Sequence, residues 1–151
     1  MIALGCDHAG LELKNIIKDH LDMRKIEYKD FGTYTPESTD YAVYAELAAK
    51  AVASGECSLG LLFCGTEVVT EPLQRQTGTL CHTHNVPAVG NAFSAEMTRL
   101  HNDANMLCLG GRVVTPEKAI ELVDIFLDTP FSGEERHARR IAQITELENR
   151  F

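Results

Sequence analysis

Five short stretches carry the polar groups that could do chemistry. "GCDHAG" sets Asp7 and His8 after an apolar run, and "LLFCGT" ends a second such run on Cys64, Gly65 and Thr66. "HNDAN" supplies His101 and Asn102, "GGR" supplies Arg112, and "RHARR" supplies Arg136, His137 and Arg140. A thiol whose pKa is lowered from its reference value, about 8.5, can move a proton at neutral pH, and an imidazole titrates there without help. Guanidinium groups pair with phosphate oxygens through two parallel hydrogen bonds. Arg136 and Arg140 are four apart and share a helical face, with His137 beside them and Arg139 turned partly away. Proton transfer next to a phosphate-binding cluster is the chemistry these types could support. Each has a plain structural alternative. A cysteine on an apolar strand is usually core, a single histidine is usually a satisfied structural group, and the arginines can pair with Glu134, Glu135 or Glu146 on a solvated helix.

The elements that would position these groups alternate along the chain. Ile2–Leu4 reads as a strand ending at Gly5, followed by a helix with Leu13, Ile16, Ile17, His20 and Leu21 at helical spacing. A second strand, Glu27–Phe31, stops at Gly32, and the turn-rich "TYTPESTD" leads to a helix over about Asp40–Ser54. Tyr44, Leu47, Ala48, Ala51 and Val52 line its apolar face, and Gly55 suits the left-handed position just past its end. Leu59–Phe63 is apolar throughout, as expected of a parallel strand covered on both faces. Gly78–Cys81 is a candidate fourth strand, Phe93–Leu100 a short helix and Met106–Leu109 a fifth strand.

Thr115-Pro116-Glu117 signals a helix start: a capping hydroxyl, proline at the first helical position, then an acid. Ala119, Ile120, Val123 and Phe126 or Leu127 give that helix its buried face. A last helix over about Glu134–Asn149 buries Ile141, Ile144 and Leu147. This pattern predicts one α/β domain over residues 1–151, a Rossmann-like, doubly wound, mostly parallel five-stranded sheet in three α/β/α layers. Ligands of such sheets bind beyond the carboxyl ends of the strands, so the polar groups are expected to converge there.

Bulk properties narrow the class. The chain has 151 residues, a formal net charge of −8, 44% hydrophobic and 24% charged residues. That charge argues against a general nucleic-acid surface, which needs a basic stripe. No stretch approaches the roughly 18 apolar residues that span a bilayer, and the amino terminus has no basic leader. Five cysteines, an odd number without a C-x-x-C pair, point to reduced thiols in the cytoplasm and away from a zinc cluster.

Taken together, "GCDHAGLELK", "DFGTYTPESTDYAVYA", "AVASGE", "LLFCGT", "RLHNDANMLCLGGRVV" and "FLDTPFSGEERHARRI" resemble the ribose-5-phosphate isomerase B family, which includes allose- and galactose-6-phosphate isomerases. The pieces stand in family order and cover most of the chain outside residues 67–93. The resemblance implies an aldose–ketose isomerase that needs no metal or organic cofactor. It would work as a homodimer, or a dimer of dimers, with active sites between subunits. Ribose 5-phosphate and ribulose 5-phosphate are the expected pair; a six-carbon aldose phosphate, or an inactive sugar-phosphate-binding relative, is the alternative.

Carried over, Cys64 is the base that moves a proton between C2 and C1 through an enediolate. Gly65, Thr66 and the amides that follow hold the substrate and its developing oxyanion. His101 assists ring opening, with Asp7 and Tyr41 nearby, and Asn102 contacts the sugar. His8, Arg112, Arg136 and Arg140, with His137 beside the last two, bind phosphate, part of the set coming from the neighbouring chain.

The family continues from its cysteine as Gly-Thr-Gly-x-Gly, then an Ala-Asn-Lys segment. Here Glu67 and Val69 replace the later glycines and no Ala-Asn-Lys follows. Valine resists the positive φ and close approach that glycine permits, and Glu67 brings the wrong charge toward an enediolate. The interval to about Phe93 is either a remodelled loop or a local frame error in the coding sequence. Glu71 is a weaker candidate base, and the pair His82 and His84 a weaker metal candidate without a third ligand.

Overall fold

The computed structural model describes residues 1–66, 90–148 and 150. Among these residues four strands, β1 (Ile2–Cys6), β2 (Tyr28–Asp30), β3 (Leu59–Cys64) and β4 (Met106–Gly110), form a parallel sheet in the order β2-β1-β3-β4. Ile2 pairs with both Tyr28 and Leu59, and β3 runs beside β4 from Gly60–Met106 to Cys64–Gly110. After β2 the chain crosses to the other side of β1, which makes the carboxyl ends of β1 and β3 a topological switch point. The strand expected at Gly78–Cys81 lies outside the described residues, as do Glu71, His82 and His84.

Among the described residues there are five helices, α1 (Leu11–Met23), α2 (Tyr41–Ala53), α3 (Ala92–Asn102), α4 (Pro116–Asp128) and α5 (Glu135–Glu148), of which the first four pack on the sheet. Strand residues alternate between two cores, as the two-residue period of a strand requires. Leu4, Leu61, Phe63, Leu107 and Leu109 face Leu13, Ile17 and Leu21 of α1, Ala95 of α3, and Leu122, Val123 and Phe126 of α4. Ala3, Leu62, Cys64, Met106 and Cys108 face the alanine-rich side of α2. Each fully buried side chain of the size of Phe126 contributes about 1.5–3 kcal/mol of transfer free energy.

The expected caps form. The Thr115 hydroxyl accepts from the Lys118 amide at 3.3 Å, Pro116 is the first helical residue, and Gly55 has φ +77°. The short helix expected at Phe93–Leu100 is longer. Asn91 caps its start by accepting from the Ser94 amide at 2.9 Å, and Asp103 ends it at φ 48°.

Two buried faces differ from expectation. In α2, Ala45 and Ala49 are buried, whereas Leu47 is exposed. The helix backbone lies too near the sheet for larger residues: a Cβ on Gly5 would stand 2.9 Å from the Tyr44 carbonyl oxygen. In α5, Ile141 and Ile144 are half-buried and Leu147 is exposed, because this helix sits at the periphery against α3 rather than on the sheet.

Candidate active site

Asp7 follows β1 directly, and its amide donates to the Phe63 carbonyl at 3.2 Å, extending the ladder by one residue. Its Oδ1 accepts from the Ala9 and Gly10 amides, each at 2.9 Å. Both amides belong to the turn that leads into α1, and the Gly10 amide also donates to the Asp7 carbonyl at 3.2 Å, so the carboxylate braces that turn close to the positive dipole end of the helix. Gly10 brings that helix start against β3. A Cβ there would stand 2.3 Å from the Phe63 carbonyl and 2.7 Å from the Cys64 nitrogen.

Cys64 ends β3 buried, at 5% exposure, while Gly65 is buried and Thr66 exposed in the bend that follows. The Gly111 amide donates to the Cys64 carbonyl at 2.7 Å and the Arg112 amide to the Gly65 carbonyl at 3.2 Å. These bonds stitch the segment after β4 to the bend after β3. They bring the Arg112 guanidinium to about van der Waals distance from Gly65, Nη1 lying 3.5 Å from where a Cβ would be. Tyr41, at the start of α2, joins Asp7, Cys6, Ala45, Leu62 and Phe63 around a cleft. His8 is half-buried, and its Nδ1 accepts from the Thr39 amide at 3.3 Å. One end of the sheet thus holds Asp7, His8, Tyr41, Cys64, Gly65, Thr66 and Arg112.

His101 and Asn102 do not join them within one chain, contrary to the expected convergence. They form the last turn of α3, which leads into the amino-terminal end of β4, where the Asn105 carbonyl accepts from the Gly60 amide at 2.8 Å. A residue preceding a parallel strand lies at the edge of the sheet opposite the residues that follow the strands. The His101 ring instead packs on His137 of α5, with centroids 4.1 Å apart and planes at 43°. His137 is buried at 3% exposure and its Nδ1 is 2.9 Å from the Ser132 hydroxyl. Burial, then the neighbouring His101 and Arg136, hold its pKa below the usual imidazole range. Arg136 is exposed and paired with Glu134 at 2.7 Å, which draws the Glu134 carboxyl below its usual pKa. Arg140 is exposed and has no carboxylate partner among the described residues.

Three contributors escaped the sequence reading. Gly10 and Thr39 act through backbone approach and a backbone amide, which side-chain types do not announce. Lys14 is wholly buried, and it did leave a signal: a lysine on the stripe formed with Ile17 and Leu21, at i+3 and i+7. Among the described residues no group of three histidine, cysteine or acidic side chains could hold a metal, and no helix is long and apolar enough to cross a membrane.

Fold and site together define a parallel α/β domain with a thiol, an imidazole and a guanidinium gathered at the switch point of the sheet. The model of the ribose/galactose isomerase family matches residues 2–144, and the chain belongs to that family. It is 41% identical to ribose-5-phosphate isomerase B of Escherichia coli K12 over 150 residues, covering 99% of this chain and 97% of that one. The solved ribose-5-phosphate isomerase B of Clostridium thermocellum has 40% identity and a TM-score of 0.89, covering 99% of this chain and 97% of its own. That of Mycoplasma genitalium, solved with bound ribulose-5-phosphate, has 37% identity and a TM-score of 0.86, covering 99% and 97%.

Proposed function

We propose that this protein interconverts ribose 5-phosphate and ribulose 5-phosphate. The observation that carries the proposal is the match over nearly the whole chain to an enzyme solved with ribulose-5-phosphate. The placement of Cys64 supports it: a buried thiol at the end of β3 stands beside the amide-rich start of α1 and a guanidinium. In this reading Cys64 moves the proton between C2 and C1, and Gly65 and Thr66 hold the enediolate. Preorganised donors at such a site contribute about two to three orders of magnitude each. Asp7 and Tyr41 flank the sugar, while His8 and Arg112 bind phosphate.

His101, Asn102, Arg136 and Arg140 complete the site from a second copy of the chain. What supports this is their separation from Cys64 within one chain, together with the half-open apolar side of α5. His137, buried against His101, orients that ring rather than touching substrate. The Rossmann-like, doubly wound description is supported by the strand order and the helices on both faces. A cytoplasmic location belongs to the same reading, since phosphorylated sugars are charged and stay in the compartment where they are made.

The test is conversion of ribose 5-phosphate to ribulose 5-phosphate by purified protein after treatment with a metal chelator. Turnover that falls by at least about a hundredfold in Cys64→Ala supports the assignment, given the usual contribution of a general base. No turnover on this substrate overturns it.

A further inference from the structure

The connection after β2, residues 32–40, reads from the sequence only as rich in turns, yet it reaches the site at one point. The Thr39 amide donates to Nδ1 of His8 at 3.3 Å. A ring nitrogen that accepts carries no proton, so in the neutral imidazole this bond leaves the proton on Nε2. The root of the same connection rests on a buried cation. Lys14 is 0% exposed and donates to Asp30 Oδ1 and to the Thr33 carbonyl, both at 2.8 Å. Asp30 also accepts from Lys18 at 2.9 Å and from the Gly32 amide at 3.1 Å, and the Tyr34 hydroxyl donates to its carbonyl at 2.7 Å.

Burying an ammonium is costly, and an apolar side chain of similar volume often serves stability as well or better. What the ion pair adds is direction: it fixes where the chain leaves β2. Gly32 lets the chain pass, since a Cβ there would lie 2.5 Å from the Cys6 nitrogen and 3.2 Å from Lys14 Nζ.

We propose that Lys14 and the Thr39 amide are a positioning device for His8. The Lys14–Asp30 anchor sets the start of the connection, and the amide near its end holds the imidazole as the Nε2–H tautomer. His8 then meets the substrate phosphate as a directed, neutral hydrogen-bond donor. This rests on the phosphate-binding role given to His8 above. Loss of the device leaves part of the population in the wrong tautomer, which weakens binding by the fraction lost and leaves the proton-transfer step alone.

Long-range proton–nitrogen NMR on nitrogen-15-labelled protein at alkaline pH, where imidazoles are neutral, reads the tautomer of His8 directly. A merely structural role would not move that signal. The wild type is expected to show the Nε2–H form. Lys14→Met, and separately Thr39→Pro, which deletes the amide but keeps the anchor, are expected to show both forms. In each, KM for ribose 5-phosphate rises by the reciprocal of the remaining Nε2–H fraction, about twofold for an even mixture, while kcat stays nearly constant. Should Lys14→Met not fold, Thr39→Pro decides alone. A wild type with Nδ1–H or an even mixture overturns the proposal, as do variants that keep the Nε2–H form with an unchanged KM. A fixed Nε2–H form in a protein that does not turn over ribose 5-phosphate upholds the device and overturns the functional reading instead.

Discussion

Gly10 and Phe63 approach so closely that a Cβ on residue 10 would stand 2.3 Å from both the carbonyl carbon and oxygen of Phe63. The glycine is required by contact and not by dihedral angle, since its φ of −95° suits any residue. Gly10→Ala must therefore push the start of α1 away from β3, at the cost typical of overpacking, about 1–3 kcal/mol. Because that helix start carries Asp7 and His8 past Cys64, kcat/KM is expected to fall along with Tm. Gly55→Ala is the comparison: nothing surrounds its Cβ position, but its φ is +77°, so it lowers Tm and leaves kcat/KM unchanged.

His137 gives the stability of the protein a pH dependence whose sign is fixed. Burial and the neighbouring His101 and Arg136 lower its folded-state pKa, so the unfolded chain binds this proton more readily than the folded protein does. Stability is therefore full above the ordinary imidazole pKa, about 6.5, and is lost as pH falls from there through the lowered folded value. Urea midpoints for wild type and His137→Gln at pH 7.5 and pH 5.5 are the measurement. The drop between the two is expected to be smaller in His137→Gln, and an equal drop would show that other groups carry it.

Arg140 and Arg139 are both exposed on α5; Arg140 follows Arg136 by four residues on one face, and Arg139 is turned partly away from it. A charge-assisted hydrogen bond is worth about 1.5–3 kcal/mol, so Arg140→Ala should raise KM for ribose 5-phosphate by about 10- to 100-fold. Arg139→Ala should leave it near the wild-type value. Steady-state kinetics on the two variants separate a phosphate contact from a general loss of positive charge, which would affect both alike.

The elements were largely legible because their signals are local: the apolar runs Leu59–Phe63 and Met106–Leu109 each form a strand that extends one residue further, and the Thr115-Pro116 cap and Gly55 appear where their composition places them. What depended on distance was read less well. Leu47 looked buried by periodicity and is exposed, since only alanine fits between α2 and the sheet at Gly5. Lys14 drew no reading of its own and is wholly buried, because its partners Asp30 and Thr33 arrive from another element. The gathering of Asp7, Cys64, Gly65, Thr66 and Arg112 at one end of the sheet followed from one rule about strand ends. His101 defeated the same rule, because it precedes its strand and so belongs to the other edge of the sheet.

That separation gives the sharpest test of a site shared between copies. If Cys64 of one chain works with His101 of another, Cys64→Ala and His101→Ala are each inactive alone. When the two are unfolded and refolded together, each mixed dimer contains one doubly altered site and one intact site. Random pairing in a two-fold dimer then restores about a quarter of wild-type activity. If both groups acted from the same chain, every site in the mixture would still lack one of them and nothing would be restored. Activity after co-refolding, with size measured in parallel to show that dimers formed, distinguishes the two arrangements without requiring any new structure.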